Sequence, residues 1–335
     1  MKIVSWNTTN ACNLYCAHCY RGSGQEAAGE LSTAEGIKLI DDIARAGFQI
    51  MIFSGGEPLL REDIFDLISH AREVGLRPVL GTNGTLLTLE VVERLKACGL
   101  MAAGISLDSL SAEAHDRLRG QRGAWQDAFN GMIHCRAAGL PFQIHTTVMD
   151  WNEAEVTHIT DFAAEIGARG HHIFFLVPTG RGEDIEDQAL ERRAYENVLT
   201  RIMSKAKTVP IEVKPTCAPQ FIRVADQVGH KQRFSKGCLA GITYCIISPR
   251  GDVQPCAYLD VPVGNVREVS FDRIWQESAM FQQLRTSDYS GSCGTCGYRT
   301  SCGGCRARAA YYHRGDYMSA DPLCVLNREG ATSDV

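Results

Sequence analysis

Cys12, Cys16 and Cys19 stand in the spacing C-x3-C-x2-C. A four-iron, four-sulfur cubane takes one thiolate per iron, so three thiolates on one short loop leave a fourth iron open. An open coordination position is what separates a reactive metal site from a structural one. The bland alternatives are a zinc knuckle that borrows His18, or three incidental thiols. Further along, Gly55-Gly56-Glu57-Pro58 forms a second candidate loop. Its glycines let the backbone approach a ligand closely, Pro58 sets the exit, and Glu57 adds a carboxylate able to take an ammonium. Read alone, this loop is equally a plain strand-to-helix turn. Nine more cysteines fall between Cys217 and Cys324. Their pattern is Cys238-x6-Cys245-x5-Gly251-x4-Cys256, then Cys293-x2-Cys296-x5-Cys302-x2-Cys305, then Cys324, with Cys217 left over. Paired C-x2-C steps suit zinc as well as iron–sulfur clusters.

The elements that must position these loops read as alternating strands and helices. Strands are expected at Ile3–Thr8, Ile50–Ser54, Arg77–Thr82, Ala102–Leu107, Phe142–Val148 and His172–Val177. Helices are expected near 32–46, 61–74, 88–98, 111–137 and 152–167. Ser32 with Glu35 makes a capping box, and Gly47, Gly75 and Gly99 stand where helices end. Ile37, Ile40, Ile43 and Ala44 give the first helix an apolar stripe. Such alternation implies a parallel sheet with helices outside it, as a doubly wound sheet or an incomplete barrel. The candidate loops all follow strands, the end at which barrels carry their chemistry. Thr82-Asn83-Gly84 closes the third strand, and Ser106 with Asp108 the fourth. Beyond about residue 215 helical periodicity fades, and Ile246 to Val253 reads as a hairpin around Pro249-Arg250-Gly251-Asp252.

Composition narrows the class. The 335 residues suit one large domain or one domain with an appendage. A net charge of −5 does not favour nucleic acid. No long apolar run or signal-peptide core is present, so neither membrane nor export is expected and the chain is placed in the cytoplasm. There, 14 cysteines point to metal or catalysis rather than disulfides. Cys98 and Cys135 lie in helix-like stretches and read as small buried apolar residues.

The first cysteine loop together with Gly55-Gly56-Glu57-Pro58 resembles the radical S-adenosylmethionine (SAM) superfamily. The resemblance implies an α/β fold: a partial (β/α)6 TIM-like barrel over residues 1–210. It also implies that Cys12, Cys16 and Cys19 hold a [4Fe–4S] cluster whose open iron chelates SAM. Cleavage of SAM then yields a 5′-deoxyadenosyl radical. Gly55, Gly56, Glu57 and Pro58 would receive the SAM amino group, with Asn83, Ser106 and Tyr20 as further contacts. Many members carry an aromatic before the third cysteine; this chain has His18 there and Tyr20 after it. The later cysteines resemble the SPASM extension, which implies a small iron–sulfur domain over 211–335. By that resemblance Cys238, Cys245, Cys256 and Cys305 hold one auxiliary [4Fe–4S] cluster, and Cys293, Cys296, Cys302 and Cys324 another, giving three clusters in all. The last pair is spaced by two residues, not the three typical of peptide-modifying members.

Ser5-Trp6-Asn7-Thr8-Thr9-Asn10-Ala11-Cys12, the stretch His172 to Gly182, and Cys302-Gly303-Gly304-Cys305-Arg306-Ala307-Arg308 are similar to the tetrapyrrole-modifying branch. Its members act in haem d1 synthesis and the siroheme-dependent alternative haem pathway. Within it, the likeness points first to the type that removes two acetates from 12,18-didecarboxysiroheme, giving iron-coproporphyrin III. A sister type oxidatively decarboxylates two propionates of iron-coproporphyrin III to vinyls. The implied partners are an iron tetrapyrrole and a low-potential electron donor, flavodoxin or ferredoxin. Arg21 and Arg181, with Arg306 and Arg308, are candidate partners for its carboxylates. His145, His171 and His172 are candidate axial ligands or proton donors. The rival readings are a peptide maturase, which calls for a peptide-recognition extension ahead of Cys12, and a non-catalytic metal-binding assembly factor.

Overall fold

Along Phe142–Val148, Phe142, Ile144, Thr146 and Val148 are buried, while Gln143, His145 and Thr147 are half-buried. This period of two gives each strand a face for helices and a face for the concave side of the sheet. In the computed structural model, which describes residues 1–231 and 233–327, seven such strands run parallel in chain order. They are β1 (Ile3–Asn7), β2 (Ile50–Ser54), β3 (Arg77–Thr82), β4 (Ala102–Ser106), β5 (Phe142–Val148), β6 (Gly170–Phe175) and β7 (Glu212–Thr216). Helices α1 (Thr33–Arg45), α2 (Ile64–Glu73), α3 (Leu89–Ala97), α4 (Ala112–Arg119), α5 (Ala124–Ala138), α6 (Val156–Glu165) and α7 (Arg192–Lys205) lie between them. The architecture is the expected α/β partial barrel. Ser32 caps α1 through the capping box with Glu35, and Leu39, Ile40 and Ile43 anchor it in the core.

Three departures from the sequence reading have physical causes. The helix expected over 111–137 is two helices, because Gly120 (φ +71°) ends α4 and Gly123 (φ +89°) precedes α5. β6 begins at Gly170, two residues earlier than read. β7 went unseen because Lys214 and Pro215 interrupt its apolar pattern. It pairs only with β6, at the sheet edge, where a proline without an N–H is tolerated.

On the other side of β1 the sheet continues with residues from far downstream. β8 (Tyr244–Ile247) pairs in parallel with β1, Val4 opposite Cys245. β9 (Asp252–Gln254) returns antiparallel across the turn at Pro249 to Gly251, as the hairpin reading expected, and β10 (Gly264–Asn265) follows. Helices Phe221–Val228, Phe271–Glu277, Ala279–Thr286 and Arg306–Tyr312 populate a stretch in which sequence periodicity had faded. Trp275 joins this part to the barrel, its ring 5.0 Å from Phe48 and 5.1 Å from Phe281. Among the described residues no helix is long and apolar enough to cross a membrane.

Candidate active site

The cysteine loop leaves β1 and is sewn to its neighbours by backbone bonds. The Cys12 N–H donates to the Gly24 carbonyl at 2.8 Å and Gly24 N–H to Asn10 at 3.0 Å, closing the loop on itself. Tyr15 and Ala17 N–H groups donate to the Arg119 and Leu118 carbonyls at the end of α4. The loop after β6 presses from a third side: Arg181 N–H donates to the Cys19 carbonyl at 3.0 Å. A Cβ at Gly180 (φ +59°) would lie 2.6 Å from that same oxygen. Cys12, Cys16 and Cys19 pack together against Leu14 and Ala124.

The second loop is built into the first. Gly56 N–H donates to the Thr9 carbonyl at 2.8 Å and Glu57 N–H to Ala11 at 2.7 Å. A Cβ at Gly56 would overlap the Ala11 carbonyl, and one at Gly55 (φ +144°) the Thr9 carbonyl. The glycines therefore serve the approach of one strand-end loop to another. Glu57 has a structural role on this loop. Its carboxylate is fully buried and accepts from the Thr82 hydroxyl (2.8 Å), the Asn83 N–H (2.9 Å) and the Leu59 N–H (3.2 Å). Burial raises it to about 7 against these bonds. Asn83 in turn donates to Asn13 of the cysteine loop at 2.8 Å, and the Ser106 hydroxyl meets the Thr82 carbonyl at 3.4 Å. Tyr20 donates to Asn7 at the end of β1, 3.0 Å away.

A buried charge pair stands beneath the loop. Arg119 contacts Asp108 at 2.6 Å and points a second nitrogen at Cys16 Sγ, 3.8 Å away. Burial would raise the Asp108 carboxyl, but Arg119, His18 and His115 hold it below the ordinary range. Burial raises the Cys16 thiol and Arg119 opposes that rise. The cation at the end of α4 thus favours a thiolate at Cys16. Sequence reading missed Arg119 because the break at Gly120 lay inside one continuous helical pattern.

The three histidines separate. His145 and His172 are register neighbours on the concave face, their rings stacked at 5.3 Å and 4°. Gly104 makes room, since a Cβ there would overlap the His145 ring. Burial, then His172 and His171, push His145 well below its ordinary value, so it is neutral. His172 Nε2 lies 3.2 Å from Glu212. His171 points to the helix side, fully buried, with both ring nitrogens 2.9 Å from the Thr160 and Thr146 hydroxyls. Its expected role as an axial ligand fails for that reason. Lys214, opposite His172 on the unforeseen β7, adds a cation to the concave face, where burial lowers its pKa.

The arginines correct further expectations. Arg181 donates to the Cys16 carbonyl (2.9 Å) and the Ser23 carbonyl (2.7 Å) and lies over Tyr15, so it clamps the loop. Arg306 is buried on the Tyr317 and Ser319 carbonyls and Arg308 is paired with Asp321 at 2.8 Å. Neither is available to a substrate. Arg21 keeps a buried Nε without a partner. That atom belongs to a set. Among the described residues the partnerless buried side-chain atoms are Trp6 Nε1, Asn7 Nδ2, His18 Nδ1, Arg21 Nε, Ser23 Oγ and His145 Nε2. Trp6 packs against Gly36 of α1 on the helix side, but the other five lie at the end of β1, on the cysteine loop or on the concave face, and such a concentration marks a site shaped for a polar ligand. The residues present therefore fit a thiolate-held cluster with a polar cofactor beside it.

The C-terminal thiols fall into place in part. Cys293, Cys296, Cys302 and Cys324 line one cavity. Cys296 and Cys302 each accept the N–H two residues on at 3.4 Å, as Cys12 accepts from Leu14. Bonds of this kind tune cluster thiolates. Cys238, Cys256 and Cys305 share a second neighbourhood, and Cys245 is fully buried within β8, paired with β1. Among the described residues no three Cys, His, Asp or Glu side chains converge on a single ion. A cubane asks for a wider set, because its thiolates attach to separate irons.

Two family models match the chain: the radical SAM superfamily over residues 6–163 and an iron–sulfur cluster-binding domain over 238–303. An AdoMet-dependent heme synthase of Methanosarcina barkeri is 42% identical, over 97% of this chain and 96% of the relative. An Fe-coproporphyrin III synthase of the same organism is 33% identical over 98% and 88%. The structure of Streptococcus suis SuiB bound to S-adenosylmethionine shares the fold, with a TM-score of 0.74 at 18% identity over 96% of this chain and 77% of that one. The chain is thus a member of the radical SAM superfamily of enzymes, in the branch that modifies tetrapyrroles, with an iron–sulfur cluster-binding domain at its C-terminal side.

Proposed function

We propose that this enzyme makes haem by oxidative decarboxylation of two propionates of iron-coproporphyrin III. The observation that carries the reading is the 42% identity to the heme synthase, against 33% to the Fe-coproporphyrin III synthase of the same organism, both over nearly the whole chain. It reverses the order that the sequence motifs suggested, in which acetate removal came first. Cys12, Cys16 and Cys19 hold the cluster, and the loop Gly55 to Pro58, with Asn83, Ser106 and Tyr20, shapes the cofactor pocket. Glu57 braces that loop from within. When bound, cluster and SAM supply a 5′-deoxyadenosyl radical able to abstract a hydrogen atom. Each propionate arm gives up that hydrogen atom, one electron and carbon dioxide, and a vinyl group remains. Cubanes held by the C-terminal thiols would supply an acceptor for that electron.

The chain's residues prepare the concave face for this substrate. His145 is neutral and its Nε2 is unpartnered, so it can meet the substrate iron or a carboxylic acid. Lys214 stands on the same face as a cation for a propionate. Anaerobically reconstituted protein, SAM and dithionite are incubated with iron-coproporphyrin III and, separately, with 12,18-didecarboxysiroheme. The expected result is 5′-deoxyadenosine and the mass of haem from the first substrate and no reaction of the second. The opposite selectivity would establish the acetate-removing type instead.

A further inference from the structure

The thiols around Cys305 differ from the set that spacing suggests. Cys217 directly follows β7, at the strand end where barrel loops carry chemistry. Its carbonyl accepts from Arg308 Nη1 at 3.1 Å, and Arg308 lies one helical turn beyond Cys305. Pro219 presses on Gly237, where a Cβ would lie 2.6 Å from the Pro219 carbonyl oxygen. The next residue is Cys238, whose N–H donates to Cys302 at 3.2 Å. These contacts draw residues 217, 238 and 305 to one place. The Cys305, Cys256 and Cys238 thiols are all neighbours of the Cys217 thiol. Cys256 likewise neighbours Cys305 and Cys238, and Cys238 neighbours Cys305.

Cys217 also holds a left-handed backbone, φ +59°, one of three such non-glycine residues among those described. A residue with a Cβ persists there only when its surroundings impose it. Cys245 presents the opposite picture. It sits within β8 opposite Val4, fully buried among apolar residues. Arg285 is the charged neighbour that acts on it.

We infer that Cys217, Cys238, Cys256 and Cys305 are the four thiolate ligands of the auxiliary cubane nearer the barrel, and that Cys245 is a packing residue. The inference rests on the reading that the C-terminal domain holds two cubanes. With one thiolate per iron this cluster has no open position. Its first ligand belongs to the barrel, so the cluster ties the two parts of the chain at the barrel mouth. Tyr258, close to Cys217, lies 5.4 Å from Tyr20, the residue after Cys19.

The test uses full-length protein in which Cys12, Cys16 and Cys19 are replaced by alanine, so that only auxiliary iron remains. This background should carry about eight irons and two reduced-cluster EPR signals. Adding Cys217→Ala should remove about four irons and one signal, whereas adding Cys245→Ala should leave both. The reverse result overturns the inference. If Cys217→Ala sheds all iron, Cys217→Ser decides: an oxygen ligand shifts the g-values of one signal, and unchanged signals overturn the assignment. A background with only about four irons and one signal refutes the two-cubane reading itself, and the inference with it.

Discussion

The two cysteine-bearing regions are held in opposite ways. The loop at Cys12 is fastened by backbone bonds to the loops after β2 and β6 and to the end of α4, and those elements are positioned by a sheet with a large apolar core. Around Cys293 to Cys324 few buried apolar side chains are found, and the organising contact is the buried Arg308–Asp321 pair, with Asp321 also accepting the Cys305 N–H at 2.7 Å. The first region is a site placed by a fold. The second is a fold arranged around its sites, and buried ionic groups cannot supply what an apolar core does.

Iron removal should expose this difference most strongly. After anaerobic chelation, hydrogen exchange should stay slow in β1 to β6 and become fast across 289–327, since metal binding there is folding free energy. Equal loss of protection in both regions would break the comparison. Asp321→Asn comes next. It leaves Arg308 buried without its counter-charge, at a cost of about 3–5 kcal/mol by denaturant titration, with loss of auxiliary iron before loss of barrel structure. The smallest effect belongs to the exposed pair Glu35–Arg267, which links α1 to the segment after β10. Arg267, then the Ser32 N–H, lowers Glu35 to about 2. A depressed carboxyl stabilises above its unfolded value near 4.5 and loses that contribution as pH falls toward 2. Because the pair is open to water, Glu35→Gln should cost less than about 1 kcal/mol at neutral pH and nothing at pH 2.

How far the sequence is legible follows the same division. Five of the six expected strands lie within a residue of their observed bounds, because period-two burial writes itself into apolar residues. β7 escaped, since an edge strand tolerates the lysine and proline that erase that pattern. Cys293, Cys296, Cys302 and Cys324 line one cavity, the grouping that the resemblance implied, whereas the same resemblance set Cys245 beside Cys238 and left Cys217 over. A strand residue and a strand-end residue look alike until the register against β1 is known.

Residue types and intervals alone determined that this chain builds a parallel α/β sheet and brings clustered thiols to strand ends, because local periodicity and ligand spacing are properties of neighbouring residues. Tertiary structure decided which groups face the chemistry. His171 and His172 are adjacent, yet strand parity sends one to the helices and the other to the concave face. Glu57 and Arg181 carry charges suited to a ligand, yet the crossing of loops from different strands turns both inward to brace the site. Those outcomes depend on contacts between residues far apart in the chain, which no local pattern encodes.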